Sequence, residues 1–526
     1  MVRSNLSRLI LILLVIANWP NFAHTQTTQP RPDNSQKDPL NTAEVLKKLD
    51  QLVEQNKQLE NQNRQLVDEI EILRGVLAAE ASKAPELKEK NSEPVSGRPA
   101  VATASQQVQQ VPEDDADSGL SVSPSREVRK TFGTYTPNLG FTVADTESGS
   151  LNVGIFSYVR YLNQLGLNPT YINAFGSVSN VQQRQDFQLA KVQVRFYGWL
   201  LSPNLRYLFY VWTSNANMGQ GAQVVVAGNL NYAFNKHITL SGGINALPGA
   251  RSVEGNFPYW LGEDTRLIAD EFFRPSYTSG IWAKGQITDR LRYHVMLGDN
   301  LSQLGINAGQ LQNFFSTYSA AIIWMPTTGE FGPGFGDFED HQMLATRLAL
   351  HFTHSREDTQ EQPDTEGFQN TQIRLSDGSI IFTPNLFGPG VTVTDVTYNM
   401  TSFDGGIKYH GTSLEGEYYL RWLTGFRGPS TANLPGLFDH GFQMQASAML
   451  APKTFQLYAG GSTVFGQFGK PWDARVGINL FPRKNRVVRW NNEGLYLFNS
   501  PVGYLAVPFP VGGHGFVFHS NFEVAF

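Results

Sequence analysis

The side chains with chemistry to offer are charges set at alternate positions in otherwise apolar stretches. Lys191, Gln193 and Arg195 alternate with Val192, Val194 and Phe196; Arg347 and His351 alternate with Leu348, Leu350 and Phe352. Asp473, Arg475 and Asn479 alternate with Ala474, Val476, Ile478 and Leu480. A period of two places polar groups on one face of a strand and apolar groups on the other. The same parity assigns Arg160, Lys284, Arg292, Lys408, Arg421 and Arg489 to the polar face, with Asp404, Glu415, Glu417 and Glu523. Fixed charges along a wet wall steer ions and do not transform them. His351-Phe-Thr-His354 offers no metal pair, because that spacing turns two rings on a strand to opposite faces. Gly332-Pro-Gly-Phe-Gly336 lies in a turn without a following helix, so it is no phosphate cradle. No nucleophile–base pair or carboxylate pair is argued by spacing; neither an enzyme nor a cofactor is expected.

Such charges need strands to carry them. In residues 515–526, Phe516, Phe518, Phe522, Val524 and Phe526 share one parity, and His519, Asn521 and Glu523 share the other. An exposed edge strand of Phe is an aggregation hazard in water, whereas a strand closing a barrel in lipid has no edge and needs an apolar outer face. The competing reading is the last strand of a soluble β-sandwich. About sixteen strands are expected, over 151–162, 186–201, 204–214, 222–233, 237–247, 277–287, 291–299, 315–325, 341–353, 401–410, 412–422, 440–450, 454–465, 471–481, 486–497 and 514–526. Tight connections such as Ser202-Pro-Asn204, Gly411 and Ala451-Pro-Lys453 alternate with long ones, Pro326–Asp340 being a long exception among the short. That alternation is the pattern of a transmembrane barrel with short periplasmic turns and long outer loops. The expected class is all-β: an antiparallel outer-membrane barrel over 131–526.

Upstream the character differs. Arg3 and Arg8 precede the apolar run 9–17, a secretory signal peptide over 1–25 that is too short to span a bilayer. Residues 26–41 form a Gln-, Thr- and Pro-rich disordered lead. Over 42–80 the apolar spacing is heptad: Val45, Leu52, Leu59, Leu66 and Leu73 on one core position, Leu49, Asn56, Asn63, Ile70 and Leu77 on the other. A single amphipathic helix is the alternative to a coiled coil. Residues 81–130 are an acidic, Pro- and Ser-containing linker. With 49 Gly, 35 Phe, 17% charged residues and a mean hydropathy of -0.27, the composition suits strands that present only alternate residues to lipid. A net charge of -5 argues against a nucleic-acid partner.

Three blocks carry a family resemblance: Gly149-Ser-Leu-Asn-Val-Gly-Ile-Phe-Ser-Tyr-Val-Arg-Tyr-Leu-Asn-Gln164, Asp186-Phe-Gln-Leu-Ala-Lys-Val-Gln-Val-Arg-Phe-Tyr-Gly-Trp199, and Gly336-Asp-Phe-Glu-Asp340 leading into 345–358. Residues 131–526 resemble porins of the phosphate-selective porin O and P family, most of all its planctomycete-type members with an N-terminal coiled coil. The resemblance implies a water-filled, trimeric barrel in the outer membrane of a Gram-negative-type bacterium, with the coiled coil in the periplasm. It also implies that the loop after the fifth strand, 248–276, folds inward as a constriction. That loop holds Arg251, Arg266 and Arg274 against Glu254, Glu263, Asp264, Asp270 and Glu271. Phosphate recognition calls for converging cations, so a net acidic loop departs from the pattern and suggests opposed charges across an eyelet. The function expected is passive diffusion of small hydrophilic solutes with a weak preference for anions, phosphate among them. The alternative is a structural outer-membrane protein that tethers the envelope through its coiled coil. Expected partners are outer-membrane lipid, further copies of the chain, the barrel-assembly machinery through Phe526, and the cell wall through the coiled coil.

Overall fold

The computed structural model describes residues 133–526, except 138, 215–222, 255–258, 264, 304–305, 307, 312–314, 333, 363–372 and 504–507. The expected signal peptide, disordered lead, coiled coil and linker, and residues 131–132 of the expected barrel segment, lie outside the described residues. The chain opens with a small hairpin of β1 (Thr134–Thr136) and β2 (Gly140–Asp145). The first wall strand is β3 (Gly149–Leu167), and its loop carries the hairpin β4 (Thr170–Ile172) and β5 (Val178–Asn180). There follow β6 (Gln185–Leu200), β7 (Ser202–Ser214), β8 (Gln223–Asn235), β9 (Ile238–Ala246), β10 (Tyr277–Thr288), β11 (Leu291–Gly298) and β12 (Thr317–Trp324). The second half comprises β13 (Ala345–Asp358), β14 (Asp395–Tyr409), β15 (Thr412–Arg427), β16 (Leu437–Ala451), β17 (Phe455–Phe465), β18 (Trp472–Leu480), β19 (Val488–Phe498) and β20 (Gly515–Ala525).

From β6 onward each wall strand pairs antiparallel with the next, and β20 pairs with β3, Phe522 opposite Val159, so the sixteen strands close into a barrel without an edge. β2 continues the line of β20 along β3: Phe526 donates its N–H to the Ile155 carbonyl, and Phe141 stands opposite Val153. The rings of Phe141 and Phe526 meet edge to face at 6.0 Å. One wall position is thus shared by the two ends of the barrel segment.

Alternation decides which face looks out. Phe187, Val226 and Leu348 are 78%, 68% and 50% exposed, while Arg347, His351, Thr353 and Ser355 are buried. Apolar outside and polar inside suits a wall whose outer solvent is hydrocarbon. A bulge at Ala190 preserves that division in β6, since Tyr158 pairs with Lys191 but Val159 pairs with Leu189. The extra residue shifts parity, so Phe187 and Leu189 stay outward above it and Val192, Val194 and Phe196 below it.

The tight connections follow turn chemistry. His410 and Gly411, at φ 46° and 73°, form the two-residue link between β14 and β15, a pair of positive angles that matches strand twist. Ser202-Pro-Asn204, expected as a turn, instead begins β7; the reversal sits at Leu201, φ 60°. Pro203 fits there because ladder pairing with β6 skips from Ser202 to Arg206, leaving no N–H to supply. β14, β15 and β16 also run further than their alternation suggested, toward 395, 427 and 437. Two connections depart from the short–long pattern: 466–471 is short at the loop end, and 325–344 is long at the turn end.

Candidate pore constriction

The loop 247–276 crosses the inside of the barrel, and its contacts prove the path. Leu247 donates its N–H to Ser276, pinning the two ends together. His351 of β13 bonds the Pro248 carbonyl at 2.9 Å, and Ser402 of β14 donates to Gly249 at 3.1 Å. Arg251 donates its backbone N–H to Glu417 of β15 at 3.1 Å and pairs with Glu415 at 3.2 Å. Further on, Asn479 of β18 donates to Leu261, Arg475 of β18 to Thr265, and Arg160 of β3 to Glu263. No single outer surface touches all these strands, so the loop lies in the lumen.

A six-residue helix within the loop, α1 (Ile268–Phe273), is held by its first turn. Its Ile268 and Ala269 N–H groups donate to Asp473 and Ser462 of the wall, at 3.2 and 2.9 Å. A helix start leaves such donors without internal partners, and a carboxylate is favoured there. Phe273 stacks on Tyr419 at 5.1 Å, and Phe272 lies under Arg421 at 4.0 Å. Leu247, Ala250, Ile268 and Phe273 join a buried apolar cluster with Tyr398, Met400, Leu423, Leu497 and the loop residues Ile381, Val502 and Phe509. The loop-end half of the lumen on the β14–β20 side is therefore packed, with about 40 Å³ of cavity between Arg274, Arg374 and Arg421.

A second insertion comes from the turn end. The long connection 325–344 turns inward, and its Gly334 carbonyl accepts from Arg251 at 3.0 Å and from Lys408 at 2.6 Å. At its base Asp337 and Glu330 both reach His341. Burial alone would lower the His341 imidazole, but its bonds to those two carboxylates outweigh burial and lift it to about 9.

The ten cations expected on the inner wall fall into two groups. Arg160, Lys191, Arg347, Lys408, Arg421, Arg475 and Arg489 are buried. Arg347 pairs with Asp404 at 2.7 Å and Arg421 with Asp439 at 2.7 Å. Arg475 pairs with Glu493 at 3.5 Å, Arg489 pairs with Glu263 and Glu523, and Lys191 lies over Trp212 at 4.9 Å. Arg195, Lys284 and Arg292 keep partial solvent access instead. The loop carboxylates do not oppose cations across open water as expected. Glu263 pairs with Arg489, Asp270 with Arg266 and Glu271 with Arg274. Burial raises the Asp270 carboxyl above its ordinary range although Arg266 and Arg274 oppose it. The side chain of Glu254 and all of Asp264 lie outside the described residues.

Sequence reasoning missed three buried carboxylates, Glu357, Asp439 and Glu493. Glu357 and Asp439 fall between the expected strands, and only the longer strands reveal them; Glu493 has the right parity within an expected strand. The ten cations thus face eight inner carboxylates, not five. Their placement matters more than their number. The first eight wall strands, β3 and β6–β12, carry a single carboxylate, Asp186, which pairs with Arg184 at 2.6 Å. The last eight, β13–β20, carry ten. The half-buried Arg195, Lys284 and Arg292 all stand on the carboxylate-poor arc.

No family profile matches the chain, and no curated protein matches it. Similar solved structures include the outer-membrane-expressed OmpT of Vibrio cholerae, 11% identical, covering 73% of this chain and 99% of that one at a TM-score of 0.46. The anion-selective porin from Comamonas acidovorans is 10% identical, with 72% and 100% covered and a TM-score of 0.43. The outer membrane channel DcaP of Acinetobacter baumannii is 9% identical, with 74% and 99% covered and a TM-score of 0.44. At these identities and TM-scores the likeness says nothing about what passes through this barrel.

Proposed function

We propose that the barrel is an outer-membrane porin through which small hydrophilic solutes diffuse, with a weak preference for anions. One observation carries this reading: an eight-strand arc of wall with one paired carboxylate presents Arg195, Lys284 and Arg292 with partial solvent access. The carboxylates of the opposite arc are largely consumed by Arg347, Arg421, Arg475, Arg489 and Arg251. An ion moving along that arc meets a wall richer in cations than in carboxylates, which raises local anion concentration. Phosphate is a candidate solute by the resemblance of the strands to phosphate-selective porins, and a trimer with a periplasmic coiled coil belongs to the same proposal. The test is single-channel recording of the purified protein in a planar bilayer, with reversal potentials in a KCl gradient. Cation preference at low salt would refute it.

A second reading has an observation of its own. Packing of one side of the lumen suits a structural envelope protein whose conduction is incidental, tethered through residues 42–80. Absence of any ion current from the folded protein would favour it.

A further inference from the structure

The inward connection 325–344 reaches the constriction loop at its tip and neighbouring turns at its base. We propose that it is a clasp that sets the position of the constriction loop from the turn end, so that releasing it widens the lumen and unsettles the current. The proposal rests on the porin reading for its electrical consequences and on geometry for the clasp itself.

At the tip, loop, turn and wall converge on one atom. The Gly334 carbonyl accepts from Arg251 of the loop and from Lys408 of β14. Next to it, Phe335 donates its N–H to the Tyr259 carbonyl at 2.8 Å, and Gly336 donates to Glu415 at 3.1 Å. Glu415 is also the partner of Arg251, whose guanidinium lies 4.9 Å over the Phe335 ring. Trp260, Leu261, Phe335 and Tyr458 form one buried cluster across loop, turn and wall. The bonds of Arg251, Lys408 and Glu415 are charge-assisted and lie in a dry setting, where each is stronger and less forgiving than at a surface.

At the base, the turn is tied to its neighbours. Gly411 donates to Asp337 at 2.8 Å, and His410 donates to the His341 carbonyl at 2.9 Å, joining the β14–β15 hairpin. Arg486, before β19, pairs with Glu339 at 2.9 Å and sits 4.7 Å from each of the Phe338 and Tyr259 rings. A piece fixed below on two turns and above on the loop acts as a strut. Without it α1 stays anchored to Asp473 and Ser462, but residues 259–261 lose their support from the turn end.

Gly336 shows how close the fit is. It sits at φ 79°, and a Cβ there would lie 2.9 Å from Leu261 of the loop, 2.7 Å from Gln456 and 3.0 Å from Ser447. Gly336→Val therefore strains the turn's left-handed backbone and crowds Leu261 of the loop together with Gln456 and Ser447 of the wall, which loosens the seat of turn on loop. The chain has no cysteine, so an engineered bridge would be unambiguous. A Cβ on Gly334 would lie 3.2 Å from the Tyr259 Cβ, slightly closer than the roughly 3.5–4.5 Å that a disulfide spans, so a small outward shift of either backbone seats the bridge.

The experiment uses the full chain in four forms: parent, Gly336→Val, Phe335→Ala, and Tyr259→Cys with Gly334→Cys. On oxidation the double variant should form its bridge in the folded protein and carry a steady current. Gly336→Val should show higher conductance and more open-channel noise than the parent. Phe335→Ala, which removes the ring beneath Arg251 and spares the backbone, should move both quantities the same way, and it decides the matter if Gly336→Val fails to fold. Failure of the bridge to form overturns the clasp. A bridge that forms while both loosening variants conduct like the parent overturns the positioning role. A parent that passes no current ends the porin reading, while the bridge still decides whether turn and loop are clasped.

Discussion

Arg489→Met should free the constriction loop without opening the barrel. The Arg489 guanidinium is 1% exposed and gathers three partners: Glu523 of β20 through Nε at 2.9 Å, Glu263 of the loop, and the Trp260 carbonyl at 2.6 Å. Methionine keeps much of the volume but leaves two carboxylates buried together with no cation between them. Removing one partner of a buried ion pair costs about 3–5 kcal/mol. β19 and β20 are laced along their length from Val488–Val524 to Leu497–Gly515, so the strands do not yield. The loop does, because separate side-chain bonds hold it to the wall where a continuous backbone ladder joins the two strands. At about 1.4 kcal/mol per factor of ten, the detached population should rise roughly a hundred- to several-thousand-fold. Backbone hydrogen exchange in detergent reads this directly: amides of 259–271, Ala269 above all, should lose protection while those of β19 and β20 keep theirs. Glu263→Gln added to Arg489→Met should restore part of the protection. Unchanged exchange in 259–271 would refute the reasoning, and so would equal loss in the loop and both strands.

Four further outcomes are expected. Replacing Arg195, Lys284 and Arg292 together by Gln should move the KCl reversal potential toward neutrality at low salt; with a Debye length of ~8–10 Å at ordinary ionic strength, the difference should fade in molar salt. Adding Arg347→Gln should instead lower the melting temperature, because Asp404 loses its 2.7 Å partner in a buried site. His341 is raised from 6.5 to about 9, burial opposing and Asp337 and Glu330 prevailing, so its protonated form contributes stability that is full below pH 6.5 and lost as pH rises through about 9. Melting curves of parent and His341→Gln should accordingly differ near neutrality and converge above pH 9, and a pH-independent difference would contradict this. Deleting 26–125 should leave a conducting barrel and alter envelope attachment or oligomer stability; loss of conductance in correctly folded truncated protein would count against it.

The wall was legible in the sequence. Period-two alternation in 191–196, 347–352 and 515–526 sorts the faces, because each strand residue points opposite to its neighbour whatever the strand pairs with. Connector lengths gave the strand count for a similar local reason. The carboxylate-poor first half is also written in the chain, although it acquires meaning only when the other half turns out to be packed. Three things needed the tertiary structure. The bulge at Ala190 shifts parity by one residue and is visible only in the pairing of Tyr158 and Val159. Glu357 and Asp439 become wall residues because neighbouring strands extend β13 and β16, which local alternation does not report. The lumen contents depend on partners far apart in sequence: Arg489 meets Glu263 across 226 residues, and Lys408 meets Gly334 across 74. Alternation tells a charged residue to face inward. Whether it then meets water or an opposite charge is decided by which distant segment closes over it, and that is a property of the folded barrel alone.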